Sequence, residues 1–240
     1  MKLKAEIHKA ELPFVFSNFA ITADGKIAFA DGSFTPFSGK RDQEHMMELR
    51  ATADAVLCGT HTVEVTGTIL GAGGIGYQRQ RLKRRLAEFP LRVIVSGSGS
   101  INPGLEIFKK DFSPIVILTT GRISKAKLKT LRNAADEVII FGERRVDFRA
   151  AFRWLRAQWN VQRLLCEGGG ELHDALVQAG LVDELHLTIC PKIFGGKNAP
   201  TIADGTGAFN LAGAAQFKLK SVRRVGDDLF IVFGRRDNGE

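Results

Sequence analysis

Apolar and polar positions alternate along this chain in short blocks, and the period of each block predicts an element. Residues 14–20 form a nearly unbroken apolar run, the pattern of a strand buried on both faces, and Asp24-Gly25 beyond it is a turn signal. Residues 29–39, with Gly32, Pro36 and Gly39, read as a loop. From 41 to 52 the period becomes helical: Met46, Leu49 and Ala53 recur on one side, with Arg41, Glu44 and Glu48 on the other. Further strands are predicted at 55–58, 91–95, 115–118, 138–141, 163–166 and 184–189. Between them lie predicted helices at 77–88, with Leu82 and Leu86 as a thin stripe, 124–131 capped by Ser124, 148–158, and 172–179 with Gly180 just past its end. The five glycines of 67–76 exclude a regular element there. Strands at 217–225 and 229–234 meet through Gly226-Asp227-Asp228, a hairpin signal.

Strands separated by helices call for an α/β, three-layer fold: a mostly parallel central sheet, helices on both faces, and a C-terminal antiparallel hairpin. No stretch has linker composition, so a single domain with an ordered core of about 12–236 is expected. Apolar residues make up 44% and charged residues 25% of the 240, which excludes collagenous and disordered classes. No apolar run approaches the roughly 18 residues of a membrane span. Cys58, Cys166 and Cys190 each lie in or beside apolar runs, as buried thiols do. His8, His45, His61, His173 and His186 lack ligand spacing, so no metal is expected. The charged N-terminus is unlike a secretory signal, and the chain reads as cytoplasmic.

The formal charge is +8, which suits a phosphorylated partner. Five of the seven residues at 79–85 are basic; that cluster is either a solvated helix face or a binding surface. No recognition helix combines bases with amides, so a nucleic-acid role is not expected.

Chemistry concentrates after the strands. Glu167-Gly168-Gly169-Gly170 joins a strand to a helix, where free backbone N–H groups without side chains could seat a phosphate; the alternative is a tight turn that binds nothing. Gly59-Thr60-His61-Thr62-Val63 is a second loop of this kind. Ser96-Gly97-Ser98-Gly99-Ser100 is a third, suited to an adenosine 2′-phosphate if Arg92 or the basic helix approaches, and otherwise a surface loop. Asn18 interrupts a core strand and must be hydrogen-bonded internally or to a ligand, while Asp24 could serve a ligand or merely its own turn. No nucleophile–base signature is present, whereas hydride transfer needs only two ligands positioned away from water.

The run 17–27, holding Asn18 and Asp24-Gly25-Lys26, the run 49–63, the Glu167-Gly168-Gly169-Gly170 turn, Asp183-Glu184, and Pro191-Lys192-Ile193-Phe194-Gly195-Gly196 together resemble one family. It is the reductase domain at the C-terminal end of bifunctional riboflavin-biosynthesis proteins, with its stand-alone archaeal and fungal relatives. The resemblance implies a dihydrofolate-reductase-like fold, a cytoplasmic homodimer and NADPH. It also implies reduction of the ribosylamino group of a pyrimidinone 5′-phosphate to ribitylamino, with hydride passing to C1′. By the same resemblance Gly59, Thr60, Thr62, Val63, Ser96, Gly168, Gly169 and Gly170 would hold the cofactor, and Asn18, Asp24 and Glu167 would carry the catalytic side. Thr66 stands where the family has an acidic residue, and Thr22 and Ala23 replace its serine and leucine. A pterin-like or other heterocyclic substrate, or a nucleotide-binding protein without turnover, is the alternative. The zinc-binding deaminase half of the bifunctional members has no counterpart in these residues.

Overall fold

The computed structural model describes residues 11–236; His8 and the charged N-terminal stretch lie outside them. The elements run β1 (Phe14–Thr22), α1 (Lys40–Arg50), β2 (Ala55–Gly59), α2 (Thr60–Thr66), α3 (Ile75–Lys83), β3 (Leu91–Val95), α4 (Glu106–Lys109) and β4 (Ile115–Thr119). They continue with α5 (Lys125–Arg132), β5 (Glu137–Ile140), α6 (Phe148–Trp159), β6 (Arg163–Cys166), α7 (Gly170–Gln178), β7 (Glu184–Cys190), β8 (Phe217–Val225) and β9 (Asp228–Arg235). The chain divides into two compact units. Among the described residues, one holds 11–14 and Leu49–Leu165; the other holds Val15–Glu48 and 166–236. Each unit is discontinuous, so no boundary needs the composition of a linker.

In the first unit the strand order is β5-β4-β3-β2-β6, and β2–β3, β3–β4 and β4–β5 pair in parallel. Val56, Leu57, Val93, Ile94, Val116 and Ile117 are all fully buried, which explains the uninterrupted apolar runs. Ser124 caps α5 as expected, its side chain accepting from the Lys127 N–H.

The basic cluster resolves into two kinds of residue. Arg79, Lys83, Arg84 and Arg85 are exposed, but Arg81 is wholly buried. Its Nη1 donates to the carbonyls of Arg50 (2.5 Å) and Ala53 (2.6 Å), and its Nε to that of Ala87 (2.8 Å). Burial lowers its pKa to about 10, so it stays cationic at neutral pH. The expected stripe is corrected accordingly. Helix α3 ends at Lys83, Leu82 is 54% exposed, and Leu86 lies beyond the last turn, so Arg81 rather than a leucine pair anchors this helix. Arg92 is spent in the same way, donating to the carbonyls of Ile107 and Ser113 with its guanidinium over the Phe112 ring.

In the second unit the order is β1-β7-β9-β8. β1 and β7 are parallel, while β7–β9 and β8–β9 are antiparallel. The hairpin closes at Val225 opposite Asp228, with Gly226 at φ 63°, a conformation that favours glycine. Helix α7 ends in a Schellman motif around Gly180 (φ 62°): Gly180 N–H donates to Val177 and Leu181 N–H to Leu176. Cys58, Cys166 and Cys190 are free and buried, as expected.

Replacing Arg81 by Met would strip the buried Ala53 carbonyl and the Ala87 carbonyl of this donor and leave the Arg50 carbonyl with the Ala53 N–H alone. Arg81→Met is expected to lower unfolding free energy by about 3 kcal/mol in a urea titration, against less than about 0.5 kcal/mol for Arg79→Met.

Candidate active site

Side chains alternate along β1, so Ser17 and Asn18 point to opposite faces. Ser17 is fully buried, with its Oγ 3.0 Å from His173 Nε2 on α7. The other ring nitrogen, Nδ1, lies 2.7 Å from the Ile202 carbonyl, which can only accept. Nδ1 therefore carries the hydrogen, and the Ser17 hydroxyl donates to Nε2. Burial holds the His173 pKa below its usual value, in keeping with that neutral ring. Asn18 is 8% exposed, and its Oδ1 is buried without a hydrogen-bond partner. Leaving such an oxygen unpaired costs about 1–3 kcal/mol, so this position suits a donor from a ligand.

Asp24 is occupied differently. Its carboxylate accepts from the Thr22 hydroxyl (2.6 Å) and from the backbone N–H groups of Gly195 (2.7 Å) and Phe194 (3.2 Å). The Thr22 bond above all, with the two amides, brings its pKa down to about 2. Asp24 staples the segment that follows β7 onto the turn that follows β1. Phe194, so held, stacks on Phe29 (4.5 Å between centroids) and meets Phe37 edge-on (5.0 Å). The Ile27 N–H adds a bond to the Pro200 carbonyl.

The three glycines after Glu167 have three separate reasons. Gly168 sits at φ 99°, Gly169 precedes α7 as an N-cap with no side-chain cap, and a Cβ on Gly170 would collide with the Thr201 carbonyl and the Asp204 carboxylate. Of the three, Gly169 alone is the uncapped helix start, while Gly170 is small to admit the 201–204 loop. Glu167 is partly exposed at the start of this turn.

In the first unit, Gly59 to Val63 is not a loop. Gly59 is the uncapped N-cap of α2, and the chain turns helical immediately. The Thr60 hydroxyl donates to the Val95 carbonyl (3.0 Å), and Val63 is a core side chain, 1% exposed. Thr62 remains partly accessible. Thr66, which stands where an acid was expected, turns its hydroxyl back onto the Thr62 carbonyl (2.7 Å). Ser96 is buried, and Arg92 and Arg81 are held elsewhere, so neither serves the 96–100 loop. The cation at that loop is Lys127 of α5, whose Nζ donates to Ser100 Oγ (2.5 Å), itself 3.1 Å from Ser98 Oγ.

A family model described as the RibD C-terminal domain matches residues 13–231. The chain belongs to that family. It is 34% identical over 221 residues to a 2,5-diamino-6-ribosylamino-4(3H)-pyrimidinone 5′-phosphate reductase of Methanothermobacter thermautotrophicus, covering 92% of this chain and 97% of that protein. A protein of the same name from Archaeoglobus fulgidus is 30% identical with the same coverage. Among solved structures, a pyrimidine reductase-like protein from Corynebacterium diphtheriae superposes with a TM-score of 0.81 at 20% identity, covering 97% of this chain and 95% of that one. The α/β fold with mostly parallel strands and a C-terminal hairpin is the fold of that neighbour.

For this RibD-type domain, sequence reasoning passed over His173. Its signal was its place, three residues beyond Gly170 on the helix that begins at the glycine turn.

The depressed pKa of Asp24 favours the folded arrangement above about pH 4 and is lost as pH falls towards about 2. Asp24→Asn is therefore expected to reduce turnover by the same factor at every pH between about 5 and about 9, because the carboxylate does not titrate there. A turnover–pH profile whose acid limb vanished in this variant would assign Asp24 a proton-transfer role instead.

Proposed function

We propose that this chain reduces the ribosylamino group of a pyrimidinone 5′-phosphate to ribitylamino, with NADPH as reductant. The observation that carries the reading is identity of 34% sustained over 97% of an archaeal reductase of that name, rather than a local motif. When bound, the nicotinamide supplies the hydride that C1′ accepts.

The chain's own residues fit this use. The unpaired Asn18 Oδ1 is an acceptor for a substrate hydroxyl or amine. Gly59 and Gly169 leave two helix starts without side-chain caps, where backbone N–H groups favour phosphate oxygens. Thr62 adds an accessible hydroxyl, Ser96 shapes the third loop, and Lys127 offers that loop a cation for a 2′-phosphate. Glu167 and Asp24 frame the substrate side, Asp24 by holding the 193–195 backbone. A same-fold reductase of a pterin-like heterocycle is the second reading, favoured by Thr66.

The homodimer belongs to this reading, supported by β8, whose residues between its ends are all exposed although it pairs with β9 alone. So does a reducing, cytoplasmic setting, supported by the three buried free thiols. No described helix is long and apolar enough to cross a membrane.

Purified protein is expected to oxidise NADPH, followed by absorbance, when given the ribosylamino-pyrimidinone phosphate. NADPH bound without oxidation by that substrate or a pterin would leave a binding protein instead. Gly169 has φ −80°, a backbone conformation that residues other than glycine adopt. Gly169→Asp should weaken NADPH at least about tenfold in a fluorescence titration with the circular dichroism unchanged.

Lys127→Ala should weaken NADPH about tenfold and NADH little, in the same titration. Equal losses for the two dinucleotides would remove Lys127 from the 2′-phosphate.

A further inference from the structure

We propose that His186, held by Glu184, is the acid that donates the proton consumed with each hydride. The proposal rests on the reductase reading above.

His186 stands opposite Asn18 in the parallel β1–β7 register, so the two side chains share a face of the sheet. The imidazole thus neighbours the buried amide whose Oδ1 lacks a partner. It is also held in place: His186 Nε2 is 2.7 Å from Glu184 Oε1, and Lys220 Nζ of β8 donates to Glu184 Oε2 at 2.6 Å. Burial opposes the Glu184 carboxylate, but Lys220 and His186 outweigh it and keep its pKa below the usual carboxylate value. A histidine ordered by an ionised carboxylate is a group that can hold a proton near neutral pH.

The proton can also be replaced. His45 of α1 lies against the His186 ring, with centroids 5.4 Å apart, and its Nδ1 is 3.5 Å from Glu48 Oε2. The side chain of Lys220 is 45% exposed, whereas those of His186 and Glu184 are 11% and 16% exposed. The hydrogen-bonded network of His186, Glu184 and Lys220 therefore reaches water at Lys220 without opening the fold. Glu184 from its own strand and His45 from α1 contact His186, while Glu48 of α1 meets His45 and Lys220 of β8 meets Glu184. Glu48 also accepts from Arg41 (2.9 Å). β1 and β9 present the uncharged Asn18 and Val232 in register.

The chemistry balances with one proton. If the furanose is intact, C1′ accepts hydride, the C1′–O4′ bond breaks with its electron pair on O4′, and O4′ takes the proton. If the sugar has opened to the imine, C1′ accepts hydride, the C=N π electrons pass to the exocyclic nitrogen, and that nitrogen takes the proton. In both cases His186 is left neutral and regains its proton through the network.

The test compares kcat–pH profiles of the intact protein with those of Lys220→Met, Glu184→Gln and His186→Asn. An acid must be protonated, so kcat falls on the alkaline side. Lys220→Met removes a cation and should move that limb to higher pH; Glu184→Gln removes an anion and should move it to lower pH. Proton NMR titration of the His186 ring should show the same opposite shifts without any substrate. His186→Asn should lose the limb and about a hundredfold in kcat, while NADPH affinity measured directly stays constant. A merely structural role would lower activity in these variants without moving the limb in opposite directions. Coincident profiles for Lys220→Met, Glu184→Gln and the unaltered protein, or full turnover by His186→Asn, would overturn the proposal. Absence of turnover by the unaltered protein would overturn the reductase reading and this proposal with it, an outcome distinguished by appearing before any substitution is made.

Discussion

A polar side chain sealed from water must find a partner within the protein or receive one from outside, and β1 holds both solutions in consecutive residues. Ser17 is satisfied by His173, whose other nitrogen is satisfied by the Ile202 carbonyl. That chain of bonds joins the strand, the helix after the glycine turn and the loop that packs on Gly170. Asn18, facing the other way, leaves an oxygen unmatched inside the fold. The two faces of the strand thus differ: at Ser17 the protein's own hydrogen bonds close it, and at Asn18 an acceptor is left unmatched.

Charge is divided by the same economy. Arg81 and Arg92 are buried and pointed at backbone carbonyls, where they brace helices and turns. Asp24 is an exposed carboxylate committed to three donors, and it fixes the backbone at Phe194 and Gly195. Glu184 is held by two partners at once, the exposed Lys220 and the buried His186. None of these roles follows from residue type; each follows from how much water the fold leaves around the group.

Much of the fold was legible because the signals are local. The apolar runs of β2, β3 and β4, the Ser124 cap, the Gly180 terminus and the two-residue hairpin are each readable within a few residues. Asn18 was legible as well, because an amide inside an apolar run is conspicuous at any stage of reading. What stayed hidden is non-local. A buried arginine has the same sequence signature as a solvated one, so Arg81 read as part of a wet helix face. The three glycines after Glu167 read as one phosphate cradle because the loop that presses on Gly170 comes some thirty residues later. The start of α2 read as a loop because Gly59 and the two threonines are weak helix formers, yet α2 packs Val63 into the core. Glu184, His186 and Thr188 recur at alternate positions of β7, but only the pairing of the strands brings His186 opposite Asn18.

The pairing of β1 with β7 carries a consequence for biosynthesis. At translation rates of about 5–20 residues per second, the first strand leaves the ribosome on the order of ten seconds before the strand it pairs with. Through that interval its apolar residues, Phe16 and Phe19 among them, have no β7 beside them, and the second unit cannot close until the last hairpin has emerged. A nascent chain of this design offers a sticky segment early and a completed sheet only at the end.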